Sequence, residues 1–205
     1  MGLKFSAYAY STKDVPGKWS LVLFLPFCNF MCRHCHNWRL VLGREKNNIS
    51  EEFIIEEIKK NPFIECIVIS GGEPTVHKTE HLSSFIKKIK EVKPELSIRI
   101  DTNGYNPGAL DKLRDFVEGF ALDIKAPIQD DKLYSYTTNV KVDTKKIIES
   151  IHIADGLPLT LFRTVNYPWL REEDINAIRG FTKKLKSPWQ LNDFYEVPDC
   201  PFNLR

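Results

Sequence analysis

An α/β fold with a parallel sheet, built as an open partial (β/α)6 barrel, is what this sequence predicts, and three observations carry the prediction. Apolar, strand-like runs alternate with segments of helical period from residue 19 to residue 196; such alternation argues parallel strands joined by right-handed crossovers. The strands close on glycine-, acid- or amide-bearing turns, where the functional groups of such sheets gather. There are six βα-type strands, too few to close the usual eight-stranded barrel. At 205 residues, 42% hydrophobic and 27% charged, the chain can bury one core and is short for two. A single domain over 1–205 is therefore expected, with 1–18 as a lead-in loop, 19–196 as the partial barrel and 197–205 as a C-terminal tail.

Taken in order, Ser11 to Lys18 carries turn chemistry at Pro16-Gly17 and reads as a surface loop or hairpin feeding the first strand. Trp19 to Pro26 is a continuous apolar run, the pattern of a strand buried on both faces. Ser50 followed by Glu51 and Glu52 is an N-cap with an acidic first turn, and Phe53, Ile54 and Ile58 recur at helical spacing until Asn61-Pro62 stops the run. Strand Ile64 to Ser70 follows, then helix Thr79 to Val92, strand Leu96 to Thr102, helix Pro107 to Phe116 and strand Gly119 to Lys125. The same patterning gives helix Asp143 to Ala154, strand Pro158 to Val165, helix Arg171 to Leu185 and a last strand Trp189 to Glu196.

A net charge of +2 with Lys and Arg dispersed among Asp and Glu gives no footprint for nucleic acid, so no nucleic-acid partner is expected. Nothing near the N-terminus reads as a signal peptide and no apolar run reaches the length of a membrane span. A cytoplasmic protein with no membrane partner is the expectation. Five cysteines, odd in number and clustered, do not make a disulfide framework and suit a reducing compartment.

Three of those cysteines, Cys28, Cys32 and Cys35, fall in CxxxCxxC spacing just beyond the first strand. Thiolates this close on a loop can converge on one soft metal centre, and three ligands suit an iron–sulfur cluster with one open iron better than structural zinc, which takes four. The competing readings are a zinc knuckle completed by His34 or His36, and three incidental thiols. The spacing, with His34 as the aromatic residue before the third cysteine, resembles the radical S-adenosylmethionine (SAM) superfamily. That resemblance implies a [4Fe–4S] cluster on Cys28, Cys32 and Cys35, and SAM as the second cofactor.

Other strand ends carry further candidates. Gly71-Gly72-Glu73-Pro74 is either a tight turn or a cofactor loop whose glycines allow close backbone approach; the resemblance implies that Gly71, Gly72 and Glu73 contact the amino group of SAM. Asp101-Thr102-Asn103-Gly104 and Asp123-Ile124-Lys125 place polar groups where a core strand would hold Val or Ile, and buried charge needs partners. Asp123 with Lys125 or Arg163 could be a structural ion pair. In the functional reading Lys125 meets the SAM carboxylate, Asn103 lines the cofactor, and Asp101, Thr102 and Asp123 supply hard oxygens that could hold a small cation. Arg163, at the end of the fifth strand, is placed for a carboxylate or for developing negative charge. Cys66 reads as a small buried hydrophobe and Cys200 as an exposed tail thiol near enough to approach the cluster. His77, His81 and His152 are given no role.

The order STKDVPG (Ser11 to Gly17), CNFMCRHCHN, GGEP, DTNG and LDIKAP is similar to the activating enzymes of glycyl radical enzymes, most of all to the activating proteins of anaerobic ribonucleoside-triphosphate reductase. The likeness runs from about Ser11 to Asn166. It implies an oxidoreductase that cleaves SAM to a 5′-deoxyadenosyl radical and moves the radical to a backbone glycine of a partner enzyme, with an electron donor such as flavodoxin or ferredoxin, in anaerobic metabolism. Two departures concern the partner: the chain lacks a His-Thr-Gly continuation after Lys125, and its final strand offers Asn192 and Tyr195. The alternatives are a pyruvate formate-lyase-type activase, a radical SAM enzyme acting on a small molecule, for example one like 7-carboxy-7-deazaguanine synthase, and a non-enzymatic metal or electron-transfer module.

Overall fold

The computed structural model describes residues 2–44 and 47–203. The outermost ends of the expected lead-in and tail, residue 1 and residues 204–205, lie outside the described residues.

The elements run β1 (Lys4–Phe5), β2 (Ala7–Ser11), β3 (Ser20–Leu25), α1 (Trp38–Val41), β4 (Ile49–Ser50), α2 (Glu51–Lys60), β5 (Cys66–Gly71), α3 (Thr79–Val92), β6 (Ser97–Thr102), α4 (Pro107–Leu113), β7 (Gly119–Asp123), α5 (Asp131–Thr138), α6 (Thr144–Ala154), β8 (Leu161–Val165), α7 (Glu172–Thr182) and β9 (Trp189–Asn192). The main sheet has seven strands in the order β2-β3-β5-β6-β7-β8-β9, and every pairing from β3 to β9 is parallel. Among the described residues β2 and β9 do not pair, so the six parallel strands form an open barrel, as the sequence predicts.

Helix positions follow local chemistry. Ser50 Oγ accepts from Phe53 N at 3.2 Å to cap α2, and Asn106, Asp130 and Asp143 cap α4, α5 and α6 in the same way. The sheet's outer face carries Leu21, Leu23, Ile67, Ile69, Ile98 and Ile100 against helical Leu82, Phe85, Ile86 and Ile89, all fully buried. Strand alternation turns the other set inward. Val22, Cys66 and Val68 join Val15 in a small apolar floor, and above it on the same faces stand Phe24, Ser70, Asp101, Asp123 and Arg163. Cys66 is thus the small core residue expected of it, fully buried.

Four expectations need correction. The lead-in is not a loop throughout: β2 pairs antiparallel with β3 from Ala7↔Phe24 to Ser11↔Ser20, covering an edge of β3 that would otherwise be bare. Tyr8 and Tyr10 hold this strand by packing on Phe53 and Trp19, with centroids 5.7 and 6.5 Å apart, and Ser11 to Lys18 forms the expected hairpin. Helix α5 was not foreseen, because DKLYSYTT has Thr and Tyr where helix formers would stand. The last strand stops at Asn192, four residues early. Cys200 is not exposed; at 2% accessibility it packs with Trp38, Met31, Cys35 and Phe202.

Candidate active site

Every residue singled out in the sequence, namely Cys28, Cys32, Cys35, His34, Gly71, Gly72, Glu73, Asp101, Thr102, Asn103, Asp123, Lys125 and Arg163, lines one cavity of about 360 Å³ at the C-terminal ends of the parallel strands. Different strand-end loops supply them: the cysteine loop after β3, GGE after β5, TNG after β6, Lys125 after β7 and Arg163 on β8. Sequence reasoning missed Phe30, Asn37 and Tyr167, which line the same space.

The cysteine loop is pinned before any ligand arrives. Phe27 N donates to Leu40 O, Met31 N to Thr138 O and Arg33 N to Thr137 O, so α1 and the end of α5 hold both sides of the loop. Cys28 Sγ accepts from Phe30 N at 3.3 Å, and Asn103 Nδ2 approaches it at 3.7 Å while donating to Asn29 Oδ1 at 2.7 Å. Cys28 and Cys35 are half-buried and Cys32 is buried. Burial keeps all three thiols protonated in the empty protein: it pushes Cys28 and Cys32 up, and Cys35 up to about 12, with the neighbouring Cys32 adding to the shift at both flanking thiols. The nearby Lys125 ammonium acts the other way at each.

The two glycines let the GGE loop close on the end of β3 and the cysteine loop. Gly72 N donates to Leu25 O and Glu73 N to Phe27 O, both at 2.8 Å, so these amides face the cysteine loop instead of a ligand. A Cβ on Gly72 would lie 1.9 Å from Phe27 O, and Gly71 combines φ +116° with a Cβ position 2.3 Å from Leu25 O. Any side chain at either place would push the GGE loop off the cysteine loop. Asn37 Nδ2 donates to Gly71 O at 2.9 Å and closes the same contact. The glycines bring the two loops together and at the same time line the cavity.

Glu73 is buried and accepts four hydrogen bonds: from Thr75 N, Thr75 Oγ1 and Thr102 Oγ1 on Oε1, and from Asn103 N on Oε2 at 2.7 Å. Oε1 is saturated, while Oε2 keeps one acceptor position. Burial pushes its carboxyl above the ordinary range in spite of those bonds, so a cation entering the cavity would favour the charged form.

Asp101, Asp123, Lys125 and Arg163 belong to one chain of charge that also includes the missed Arg99. Lys125 Nζ lies 3.2 Å from Asp123 Oδ2, Arg163 Nε 2.9 Å from Asp123 Oδ1, Arg163 Nη1 2.9 Å from Asp101 Oδ2, and Arg99 Nε 2.9 Å from Asp101 Oδ1. The ion pair weighed from sequence therefore exists and is longer than foreseen. All four carboxylate oxygens are engaged by cationic side chains, whose charge disfavours a further small cation on Asp101 and Asp123. Three cations against two carboxylates leave one positive charge, and its cavity end is Lys125. Burial alone would lower the Lys125 pKa, but Asp123 holds it well above the ordinary value; Asp123 is lowered against burial by Arg163 and Lys125. Arg99 had a sequence signal, since a basic residue two before Asp101 in a strand shares its face.

The residues present fit the two cofactors of a cluster-and-SAM site. Three thiols on one loop offer a soft donor set short of four, Lys125 and Glu73 offer opposite charges to a zwitterion, and the volume suits one small ligand.

The sequence model of the Radical SAM superfamily matches residues 22–182. A protein of Methanocaldococcus jannaschii, provisionally named a glycyl-radical enzyme activating enzyme, is 36% identical over 118 residues, 56% of this chain and 47% of that protein. A GTP 3′,8-cyclase of Campylobacter jejuni strain RM1221 is 28% identical over 189 residues, 82% of this chain and 53% of the cyclase. The chain thus spans about half the length of these curated relatives. Among solved structures, methylornithine synthase (PylB) superposes with a TM-score of 0.66 at 17% identity over 89% of this chain and 56% of its own. Coproporphyrinogen III oxidase (HemN) from Escherichia coli superposes with a TM-score of 0.60 at 15% identity over 89% of this chain and 45% of its own. These two likenesses establish the fold alone.

Proposed function

Because the chain belongs to the radical SAM superfamily, whose members use a [4Fe–4S] cluster and SAM, we propose that it is an activating enzyme that places a glycyl radical on a partner protein, with anaerobic ribonucleoside-triphosphate reductase, whose activating proteins its motifs resemble, as that partner. Cys28, Cys32 and Cys35 hold the cluster. Lys125 takes the SAM carboxylate, the open position on Glu73 Oε2 takes the ammonium group, and Asn103 steadies the Cys28 side. Bound together, cluster and SAM supply the one-electron cleavage that yields methionine and a carbon radical able to take a hydrogen atom. An electron donor such as flavodoxin or ferredoxin would supply the electron, and the partner's glycine Cα would give up the hydrogen atom, with 5′-deoxyadenosine and a glycyl radical as the products.

The observation that carries this reading is the size of the cavity. About 360 Å³ is at the low end for a single small-molecule ligand, so a site holding SAM has little room for a second metabolite. A substrate that enters only with a side-chain-free backbone segment meets that limit. The M. jannaschii relative supports the same reading through its name. The Campylobacter cyclase, matched over more of this chain, favours the second reading, a radical SAM enzyme acting on a small molecule. Anaerobic incubation of the reduced protein with SAM and an anaerobic ribonucleotide reductase from the same organism separates them. A glycyl doublet in the electron paramagnetic resonance spectrum supports the activase; turnover of a purine nucleotide with no such doublet supports the alternative.

A further inference from the structure

His34, between the second and third cysteines, has a left-handed backbone with φ 52°, a conformation uncommon outside glycine. Something must hold it there, because this turn sets where the chain places Cys35 relative to Cys32. The C-terminal segment supplies the contacts. Asn203 Oδ1 accepts from His34 N at 2.7 Å, Asn203 Nδ2 lies 3.4 Å from His34 Nδ1 and donates to Val197 O at 2.8 Å, and Val197 N donates to His34 Nδ1 at 3.1 Å. The Asn203 carbonyl also accepts from Arg33 Nη1 at 2.9 Å. One asparagine therefore fixes the backbone of His34, helps orient its ring and closes the segment on itself. The ring is further held edge-on to Phe194, with centroids 5.1 Å apart. Asn203 stands 169 positions from His34 in the chain, and no motif marks it.

The geometry points to Asn203 as a positioning residue for the cluster loop: it holds the left-handed turn at His34 and so presets the spacing of Cys32 and Cys35 for iron. This rests on the reading of the three cysteines as cluster ligands. Supporting groups of this kind affect metal affinity by roughly 10- to 100-fold when removed.

The test is anaerobic iron release from reconstituted holoprotein into a ferrous chelator, for the unaltered chain, Asn203→Ala, Arg39→Ala and His34→Gly with and without Asn203→Ala. Arg39 pairs with Asp199 at 2.8 Å on the surface, so its variant loosens the same segment without touching His34. Asn203→Ala should release iron on the order of tenfold faster, or faster still, with Arg39→Ala unchanged. In the His34→Gly background, where a left-handed turn costs little, the added effect of Asn203→Ala should shrink to about twofold or less. Equal release from Asn203→Ala and the unaltered chain overturns the inference, as does equal acceleration by Arg39→Ala or an undiminished effect in the His34→Gly background. If the unaltered chain takes up no iron, the cluster reading fails instead.

Discussion

Replacing Asp101 by Asn would leave two guanidinium groups competing for one amide oxygen. Asp101 accepts from Arg99 on both oxygens, at 2.9 and 3.3 Å, and from Arg163 Nη1 at 2.9 Å. The side chains of Arg99 and Asp101 are only 2% and 7% exposed, so water cannot take over the lost charge. Arg99 would retain only the bond it makes from Nη1 to Asp14 O. Removing one partner of a buried pair costs about 3–5 kcal/mol, and because the amide still accepts one bond, about 3 kcal/mol is expected. For a domain of this size that is a fall in Tm of about 6–12 °C, read by thermal unfolding of the cluster-free protein. Adding Arg99→Met removes the stranded charge and should recover about 1–2 kcal/mol. A Tm for Asp101→Asn within about 2 °C of the unaltered chain would show that the charge chain does not hold these strand ends together.

Three more outcomes follow from the site. Cys28→Ala, Cys32→Ala and Cys35→Ala should each abolish the [4Fe–4S] signal after anaerobic reconstitution while Cys66→Ala keeps it; iron and sulfide analysis decides, and stoichiometric zinc without iron would contradict it. Lys125→Ala should keep the cluster and weaken SAM binding by about 1.5–3 kcal/mol, roughly 10- to 150-fold, as measured by titration calorimetry. Glu73→Ala should do the same and also lower Tm, because four buried donors lose their acceptor; unchanged affinity in both variants would return these residues to a structural role. In the cluster-free protein, burial holds Cys35 at about 12, so its neutral thiol persists to high pH. Its alkylation rate should therefore climb through pH 9–11 without levelling off, and a plateau near pH 8.5, the value of a free thiol, would refute the buried placement.

The parts of the molecule that were legible in the sequence are those where local pattern and function coincide. Apolar runs such as CIVIS and alternating ones such as SIRID gave the parallel strands, and the polar residues at the C-terminal end of each gave the cavity. Contacts at long range were harder to read. Ala7–Ser11 is a strand because β3 needs an outer neighbour, a requirement its own AYAYS pattern does not express. Cys200 is buried because Trp38, Met31 and Cys35, from a distant part of the chain, close over it together with the nearby Phe202. The crowding of the GGEP glycines against Leu25 and Phe27 is a pairing of two loops that only the fold reveals. Arg99 was passed over because apolar neighbours on both sides made the segment look like plain core.

The measurement that bears most directly on the proposed activity is electron paramagnetic resonance of the reduced, SAM-loaded protein mixed anaerobically with an anaerobic ribonucleotide reductase from the same organism, alongside assay of 5′-deoxyadenosine. The account predicts a glycyl doublet that requires both proteins, deoxyadenosine release above the level without partner, and loss of the doublet when the partner's acceptor glycine is replaced by alanine. Deoxyadenosine formed in step with a modified nucleotide, and no radical on the partner, would contradict it.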